Sequence, residues 1–236
     1  MNDSILLRKQ ATDFFLYAYF GIIVNDDYRT IIKKCVKRAY LDMNRTLKVK
    51  SDVSGFSFQE EFAERMTEII VSKDSITDIQ SECYKLFIDY TEGNDQPQKG
   101  LYAFLGTKEI KDKSKRRGNC FYFGQAQKWI NMSLKYLWLL GIINDDETKG
   151  LDVPIDSIIM LAASEELGVV YPTDSKKQIW KAYSPSSTMP WSKLNSSEYK
   201  TIQNTIKVKI KEKNPIEWES DKWIEYAEKK KNHISA

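Results

Sequence analysis

The chain has 236 residues, of which 42% are hydrophobic and 12% aromatic, and this suits one large domain or two small interleaved lobes. The mean hydropathy of −0.51 is typical of a soluble protein, and no apolar run reaches the roughly 18–20 residues of a membrane span. Residues 14–24 are apolar but too few, and they lack the cleavage site of a signal peptide, so we interpret them as a buried helix. We expect a cytoplasmic monomer that binds no membrane.

Cysteine and histidine usage excludes several classes of site. Cys35, Cys83 and Cys120 are far apart, and no CxxC spacing occurs, which argues against zinc and iron–sulfur centres and suits a reducing compartment. The single histidine, His233, argues against histidine-based triads. We therefore expect neither a metal nor another cofactor.

Apolar residues recur at helical spacing along most of the chain, and strand-like alternation is scarce. Ser57 is a candidate N-cap with Glu60 as its capping-box partner. We predict an all-α fold with one domain over residues 1–236. The predicted helices cover residues 4–23, 26–48, 57–71, 75–90, 124–140, 155–167, 195–213 and 215–231.

A basic segment precedes the fifth predicted helix. Residues 108–117 carry six cations and two acids, a local charge of +4 that exceeds the +3 of the whole chain. Such a run is either a solvated loop or a contact surface for a polyanion. Its last three cations are Lys115, Arg116 and Arg117.

Lys128 occupies an unusual position on the apolar helix that follows. It shares a stripe with Met132, Lys135 and Leu139 at spacings of four, three and four, as one helix face requires. The stems of such lysines can pack while their ammonium groups reach water. Alternatively, one of them is an amine nucleophile, because burial favours the neutral amine.

Asp156 follows Pro154 at the start of the next predicted helix. An aspartate there caps the helix and lies at the positive end of its dipole. Capping alone explains the residue, but the same placement keeps the carboxylate ionised. An ionised carboxylate can stabilise a cationic, sugar-like transition state.

Together these two segments resemble the helix–hairpin–helix DNA glycosylase superfamily. Val153-Pro154-Ile155-Asp156 is similar to the family's Val-Pro-Val-Asp motif, and residues 124–128 resemble its Gly-x-Gly-x-Lys hairpin. The bacterial 8-oxoguanine glycosylase-like group is closer still, through Gln127-Lys128, Asn131, Lys135-Tyr136 and Pro154-Ile155-Asp156. The resemblance extends over residues 123–160, within a core motif segment of residues 118–168.

The resemblance implies two helical lobes with the active site in the cleft between them. The partner would be double-stranded DNA, from which the target nucleotide is flipped into the site. Lys128 would attack the sugar C1′ and expel the base, Asp156 would stabilise the developing charge, and the resulting Schiff base would allow strand cleavage. Lys135 is a rival nucleophile on the same stripe.

The remaining site residues follow from the same comparison. Gly124 and Gln125 would hold a DNA phosphate, although Ala126 replaces the second hairpin glycine and disfavours a positive φ. We expect further phosphate contacts from the three cations at residues 115–117. Trp191 either stacks on a base or packs in the core, and Asn131 bonds either helix backbone or the flipped nucleotide. We assign the other aromatic side chains of interest to the core: Trp129, Tyr136, Trp138, Trp218 and Trp223.

The sequence leaves the target base and the class of function open. The family favours 8-oxoguanine repair, and removal of a phage-type modified base, such as a glucosylated hydroxymethylcytosine, would be a defence activity. A helical DNA-binding or protein-interaction module without chemistry is the alternative from a different class.

Overall fold

The computed structural model describes residues 3–44, 58–91, 121–172, 189–211 and 213–234. All regular secondary structure within them is helical, which confirms the all-α class. None of these helices combines the length and apolar character that crossing a bilayer requires. In chain order the helices are α1 (Asp3–Phe20), α2 (Tyr28–Asn44), α3 (Phe58–Ser72), α4 (Ile76–Thr91), α5 (Phe123–Leu139), the short α6 (Asp145–Thr148), α7 (Ser157–Leu167), a 3-10 turn (Trp191–Lys193), α8 (Ser196–Ile210) and α9 (Pro215–Ile234).

The helix ends differ slightly from the predicted ones, and local capping explains the differences. α2 begins two residues later than expected because Asp27 caps it, accepting a hydrogen bond from the backbone N–H of Thr30. α8 ends at Ile210 because Lys211 has a φ of 58°, which cannot continue a right-handed helix. The predicted N-cap Ser57 lies outside the described residues.

Helix α5 lies at the centre of the packing, with a hydrophobic cluster on each side. It packs along α2 and α4 on one side, and it contacts the 3-10 turn and α8 on the other. The first cluster joins α2 to α5, and the indole N–H of Trp129 there donates to the carbonyl of Val36 at 2.8 Å. The second cluster includes Phe123, the first residue of α5, and buried residues of α7, α8 and α9. α5 therefore connects the two clusters.

The expectation of a buried helix over residues 14–24 is wrong. The side chains of Phe14, Phe15 and Tyr17 on α1 are 64%, 66% and 61% exposed. Only one edge of α1, carrying Leu16 and Phe20, packs against the first cluster. An apolar composition predicted burial here, but this helix has a core partner on one edge alone.

Candidate active site

Lys128 and Asp156 meet as an ion pair between α5 and α7. The Nζ atom of Lys128 lies 3.0 Å from Oδ2 of Asp156, and the two side chains are only 7% and 17% exposed. Pro154 and the buried Ile155 lead the chain to Asp156, which directly precedes α7. Two residues that stand 28 positions apart in sequence are thus brought into direct contact.

Asp156 is the N-cap of α7, as its position predicted. Its Oδ1 accepts hydrogen bonds from the backbone N–H groups of Ile158 and Ile159 at 2.9 and 3.0 Å. Its Oδ2 accepts from Lys128 and, at 3.0 Å, from the indole N–H of Trp223. Burial alone would raise the pKa of this carboxyl group, but the charge of Lys128 and these N–H donors outweigh burial and hold the pKa below its usual value. Asp156 is therefore anionic at neutral pH.

A cavity of about 670 Å³ opens directly onto this pair. Its volume falls within the range of small-ligand pockets, about 300–1,000 Å³. The indole side chains of Trp191 and Trp223 line it beside Asp156, so the cavity combines aromatic surface with buried charge. Aromatic surface with a few placed polar groups is the usual composition of a small-ligand site.

The same cavity contains a second lysine–carboxylate pair, formed by Lys135 on α5 and Glu219 on α9. Their side chains are 12% and 1% exposed, so this pair is more deeply buried than the first at its carboxylate end. Burial raises the pKa of Glu219 above its usual value, although the charges of Lys135 and Lys128 act in the opposite direction. Both candidate nucleophiles of the sequence therefore face one cavity.

Sequence reasoning missed the contribution of α9. Glu219 was not considered, and Trp223 was assigned to packing, whereas its indole N–H binds Asp156 and its side chain is 39% exposed. These two residues are four positions apart and therefore lie on one helix face. That spacing was the available signal, but nothing in the sequence showed that this face meets α5.

Two tyrosine hydroxyl groups and an aspartate carboxylate line another part of the cavity. The hydroxyl of Tyr136 donates to a carboxylate oxygen of Asp42 and lies 2.8 Å from the hydroxyl of Tyr19. Burial, followed by these two hydrogen bonds, raises the pKa of Tyr136. Tyr136 is buried as expected. It also lines the cavity together with its two hydrogen-bond partners.

The structure does not bring Asn131 to the cavity, contrary to the expectation that it lines a base pocket. Its side chain is fully buried between helices. Its Oδ1 accepts from Gln80 and Tyr84, both at 2.9 Å, and its Nδ2 donates to the hydroxyl of Tyr199 at 2.6 Å. Asn131 therefore ties α5 to α4 and α8, with no polar atom left for a nucleotide.

Gly124 and Gln125 were expected to hold a DNA phosphate, but their polar groups are bonded within the protein. The backbone N–H of Gly124 donates to the carbonyl of Leu194 at 2.8 Å, and a Cβ at this position would collide with the carbonyl oxygen of Trp191. The buried Gln125 uses its Oε1 to accept from the N–H of Tyr122 at 3.0 Å. Gly124 is needed for close packing against the 3-10 turn, and this packing carries Trp191 to the cavity.

The predicted cations Lys115, Arg116 and Arg117 lie outside the described residues. Within the described residues, no group of three or more histidine, cysteine, aspartate or glutamate side chains is arranged to hold a metal ion. The sequence matches no protein-family model, and neither a curated protein nor a solved structure gives a significant match. Any function must therefore be inferred from the chemistry of the cavity and the motif resemblance.

Proposed function

We propose that the protein is a DNA glycosylase that flips a damaged or modified base into the cavity and cleaves its N-glycosidic bond. Lys128 is the nucleophile and Asp156 is its electrostatic partner. The observation that carries this proposal is the buried contact between these two side chains at the wall of a ligand-sized cavity. A lysine that is buried beside a carboxylate in a concave site is a favourable arrangement for covalent catalysis.

The proposed reaction begins when the ammonium of Lys128 loses a proton, with Asp156 as the transient acceptor. The lone pair of Nζ forms a bond to C1′ of the flipped nucleotide while the bond from C1′ to the base nitrogen breaks. The bonding electrons leave with the base, which takes up the proton that Asp156 accepted from Lys128, so that Asp156 is anionic again. The anionic Asp156, held by the start of α7, stabilises the positive charge that develops on the sugar.

The covalent intermediate then rearranges. A proton passes from Nζ to the ring oxygen O4′, the bond between C1′ and O4′ breaks, and a protonated Schiff base forms between Nζ of Lys128 and C1′. Loss of a proton from C2′ and departure of the 3′ phosphate cleave the strand by β-elimination. On this proposal the protein has two activities: it releases the base, and it cleaves the strand at the resulting abasic site.

Several features of the chain support a DNA substrate. The indoles of Trp191 and Trp223 border the cavity, and aromatic side chains are common stacking surfaces for bases. The +4 segment at residues 108–117 supplies charge for backbone phosphates. The hydrophobic clusters on either side of α5 support a two-lobed arrangement around the site. The excised base is 8-oxoguanine or a phage-type modified cytosine, and we propose no choice between them.

Borohydride trapping on a duplex with one abasic site tests the proposal without knowledge of the base. We expect a covalent adduct with the full chain, its loss in Lys128→Ala and its retention in Lys135→Ala. Base release from oxidised, alkylated and phage-modified duplexes then identifies the substrate. A binding module without chemistry would bind DNA, form no adduct and release no base from any of them.

One further outcome would revise the mechanism alone. If base release survives substitution of either lysine but is lost in Asp156→Asn, water is the nucleophile and the enzyme has a single activity. Adduct formation through Lys135 instead of Lys128 would reassign the nucleophile.

A further inference from the structure

The cavity holds two lysines that differ in their carboxylate partners. Lys128 and Lys135 are seven positions apart on α5, which puts them on one face about 10 Å apart along the helix axis. Lys128 pairs with Asp156, and Lys135 pairs with Glu219. Both ammonium groups line the same cavity, and their carboxylate partners are a chemical difference between them that bears on which one reacts.

Asp156 divides its hydrogen-bonding capacity among several donors. Two backbone N–H groups of α7 and the indole of Trp223 bind it in addition to Lys128. These donors stabilise the carboxylate whether or not Lys128 is charged. Lys128 can therefore lose its proton, or move toward a substrate, without leaving a bare buried anion behind.

Glu219 has no such support in the described part of the chain, where Lys135 is its only hydrogen-bond partner. Its side chain is 1% exposed, so a charged Glu219 without the ammonium of Lys135 would be a buried, unpaired carboxylate. Such a state is strongly unfavourable. While Glu219 is charged, Lys135 cannot move toward a substrate without leaving that carboxylate unpaired, whereas Asp156 keeps three other donors when Lys128 moves.

We propose that Glu219 is the specificity-determining residue that selects Lys128 over Lys135 as the nucleophile, by holding Lys135 in a buried ion pair. This inference rests on the proposed glycosylase and lyase function. Glu219 is a positioning residue here and touches no reacting atom. The burial that raises the pKa of its carboxyl group also makes an unpaired charge at this position unfavourable.

Removal of the Glu219 charge should therefore create reactivity. An ammonium buried without a counterion loses its proton more readily, and each unit of pKa decrease raises the amine fraction at neutral pH about tenfold. The other charged groups that line the cavity are Lys128, Asp156, Asp42 and Lys230. Once Lys128 is replaced, the amine of Lys135 is the remaining nucleophile of the proposed pair that lines this cavity.

The test uses the abasic duplex in the Lys128→Ala background, where the proposed nucleophile is absent. The free amine of Lys135 would add to the C1′ aldehyde and expel water to form an imine. Hydride from borohydride reduces this imine to a stable secondary amine. We expect Lys128→Ala to give little adduct and Lys128→Ala/Glu219→Gln to give roughly tenfold more, with the modified peptide containing Lys135. A third substitution, Lys135→Ala, should remove the adduct again.

Glu225→Gln in the Lys128→Ala background is the matched control. Glu225 also lies on α9 and pairs with lysines, but it is outside this cavity, so no adduct should return. Because the expected result is a gain of reactivity, loss of folding cannot imitate it. Thermal unfolding and binding of the abasic duplex establish that each variant is folded and reaches DNA.

The remaining outcomes separate the two proposals. If the wild type forms an adduct through Lys128 but the folded Lys128→Ala/Glu219→Gln variant forms none, the selection role of Glu219 is overturned and the glycosylase proposal stands. An adduct on a lysine other than Lys135, or equal recovery in the Glu225 control, also overturns it. If the wild type itself forms no adduct, lyase chemistry fails and this inference fails with it.

Discussion

The two lysine–carboxylate pairs of the cavity contain the same chemical groups in opposite surroundings. Asp156 lies at the start of a helix, where backbone N–H groups and an indole support its charge and lower its pKa. Glu219 lies within α9, where burial dominates and raises its pKa. The residue types are nearly equivalent, so the difference must come from position on a helix. A helix start supplies free N–H donors that a helix interior has already used.

Under the proposed glycosylase function, the largest expected difference between the two pairs is in the rate of base release. Asp156→Asn keeps an oxygen that can cap α7 but removes the negative charge beside Lys128. We expect base release under single-turnover conditions to fall by about 10²–10³-fold, the usual cost of losing one preorganised electrostatic group. Glu219→Gln, tested in parallel, should lower the rate less than about tenfold. An equal loss in both variants would mean that the two pairs act as one catalytic unit.

The free energy of unfolding should depend more strongly on Glu219 than on Asp156. Glu219→Leu leaves the ammonium of Lys135 buried without a partner, and we expect it to lower the free energy of unfolding by about 3–5 kcal/mol. Lys135→Met/Glu219→Leu replaces the whole pair with apolar side chains of similar size and should restore stability to within about 1 kcal/mol of the wild type. Urea unfolding measures both. If the double variant is as unstable as the single one, the ion pair itself contributes the stability.

The opposite pKa shifts of the two carboxyl groups predict opposite dependences of stability on pH. The lowered pKa of Asp156 means that its contribution is complete above the ordinary aspartate value of 3.8 and is lost as pH falls below it. The raised pKa of Glu219 means that its charge costs stability above the ordinary glutamate value of 4.5, and that this cost disappears on acidification.

Unfolding measured between pH 3 and 7 separates the two effects. Relative to Asp156→Asn, the wild type should lose its advantage as pH falls. Relative to Glu219→Gln, it should gain stability over the acidic part of this range. Each titrating group changes the free energy of unfolding by at most about 1.4 kcal/mol per pH unit. Parallel slopes for the two variants would contradict the assigned directions.

The sequence predicted the local parts of this site well and the tertiary parts poorly. The apolar stripe of α5 and the cap at Asp156 depend on neighbours within a few residues, so spacing alone indicated them. The contact between Lys128 and Asp156 came from motif resemblance, since no spacing rule joins residues in different helices. The all-α class followed from the scarcity of alternating segments.

The errors have a common cause. The motif position predicts a phosphate contact for Gly124 and makes a nucleotide contact one of two alternatives for Asn131, but both residues make tertiary packing contacts instead. Trp223 was assigned to packing because an aromatic residue on a helix usually packs, but α9 turns its indole toward Asp156. In each case the partner lies more than 45 positions away in sequence, and a single sequence does not reveal which faces of distant helices meet.

Replacement of Trp223 should have the smallest effect of these substitutions. Its indole N–H is the hydrogen bond through which α9 supports Asp156. Trp223→Phe keeps an aromatic ring and removes the indole N–H that donates to Oδ2 of Asp156 alongside Lys128. Since this side chain is 39% exposed, water can replace the lost donor in part, and we expect a cost of about 1 kcal/mol or less. The pKa of Asp156 should move up toward its usual value, which an NMR titration of the carboxyl carbon measures.

Trp218→Phe is the control for this last prediction. Trp218 is buried in the second hydrophobic cluster and does not line the cavity, so its replacement should cost packing energy and leave the pKa of Asp156 unchanged. If both variants leave that pKa unchanged, the backbone N–H groups of α7 and Lys128 suffice to hold the carboxylate. The support that Asp156 has and Glu219 lacks would then come from the start of α7 and not from the indole of Trp223.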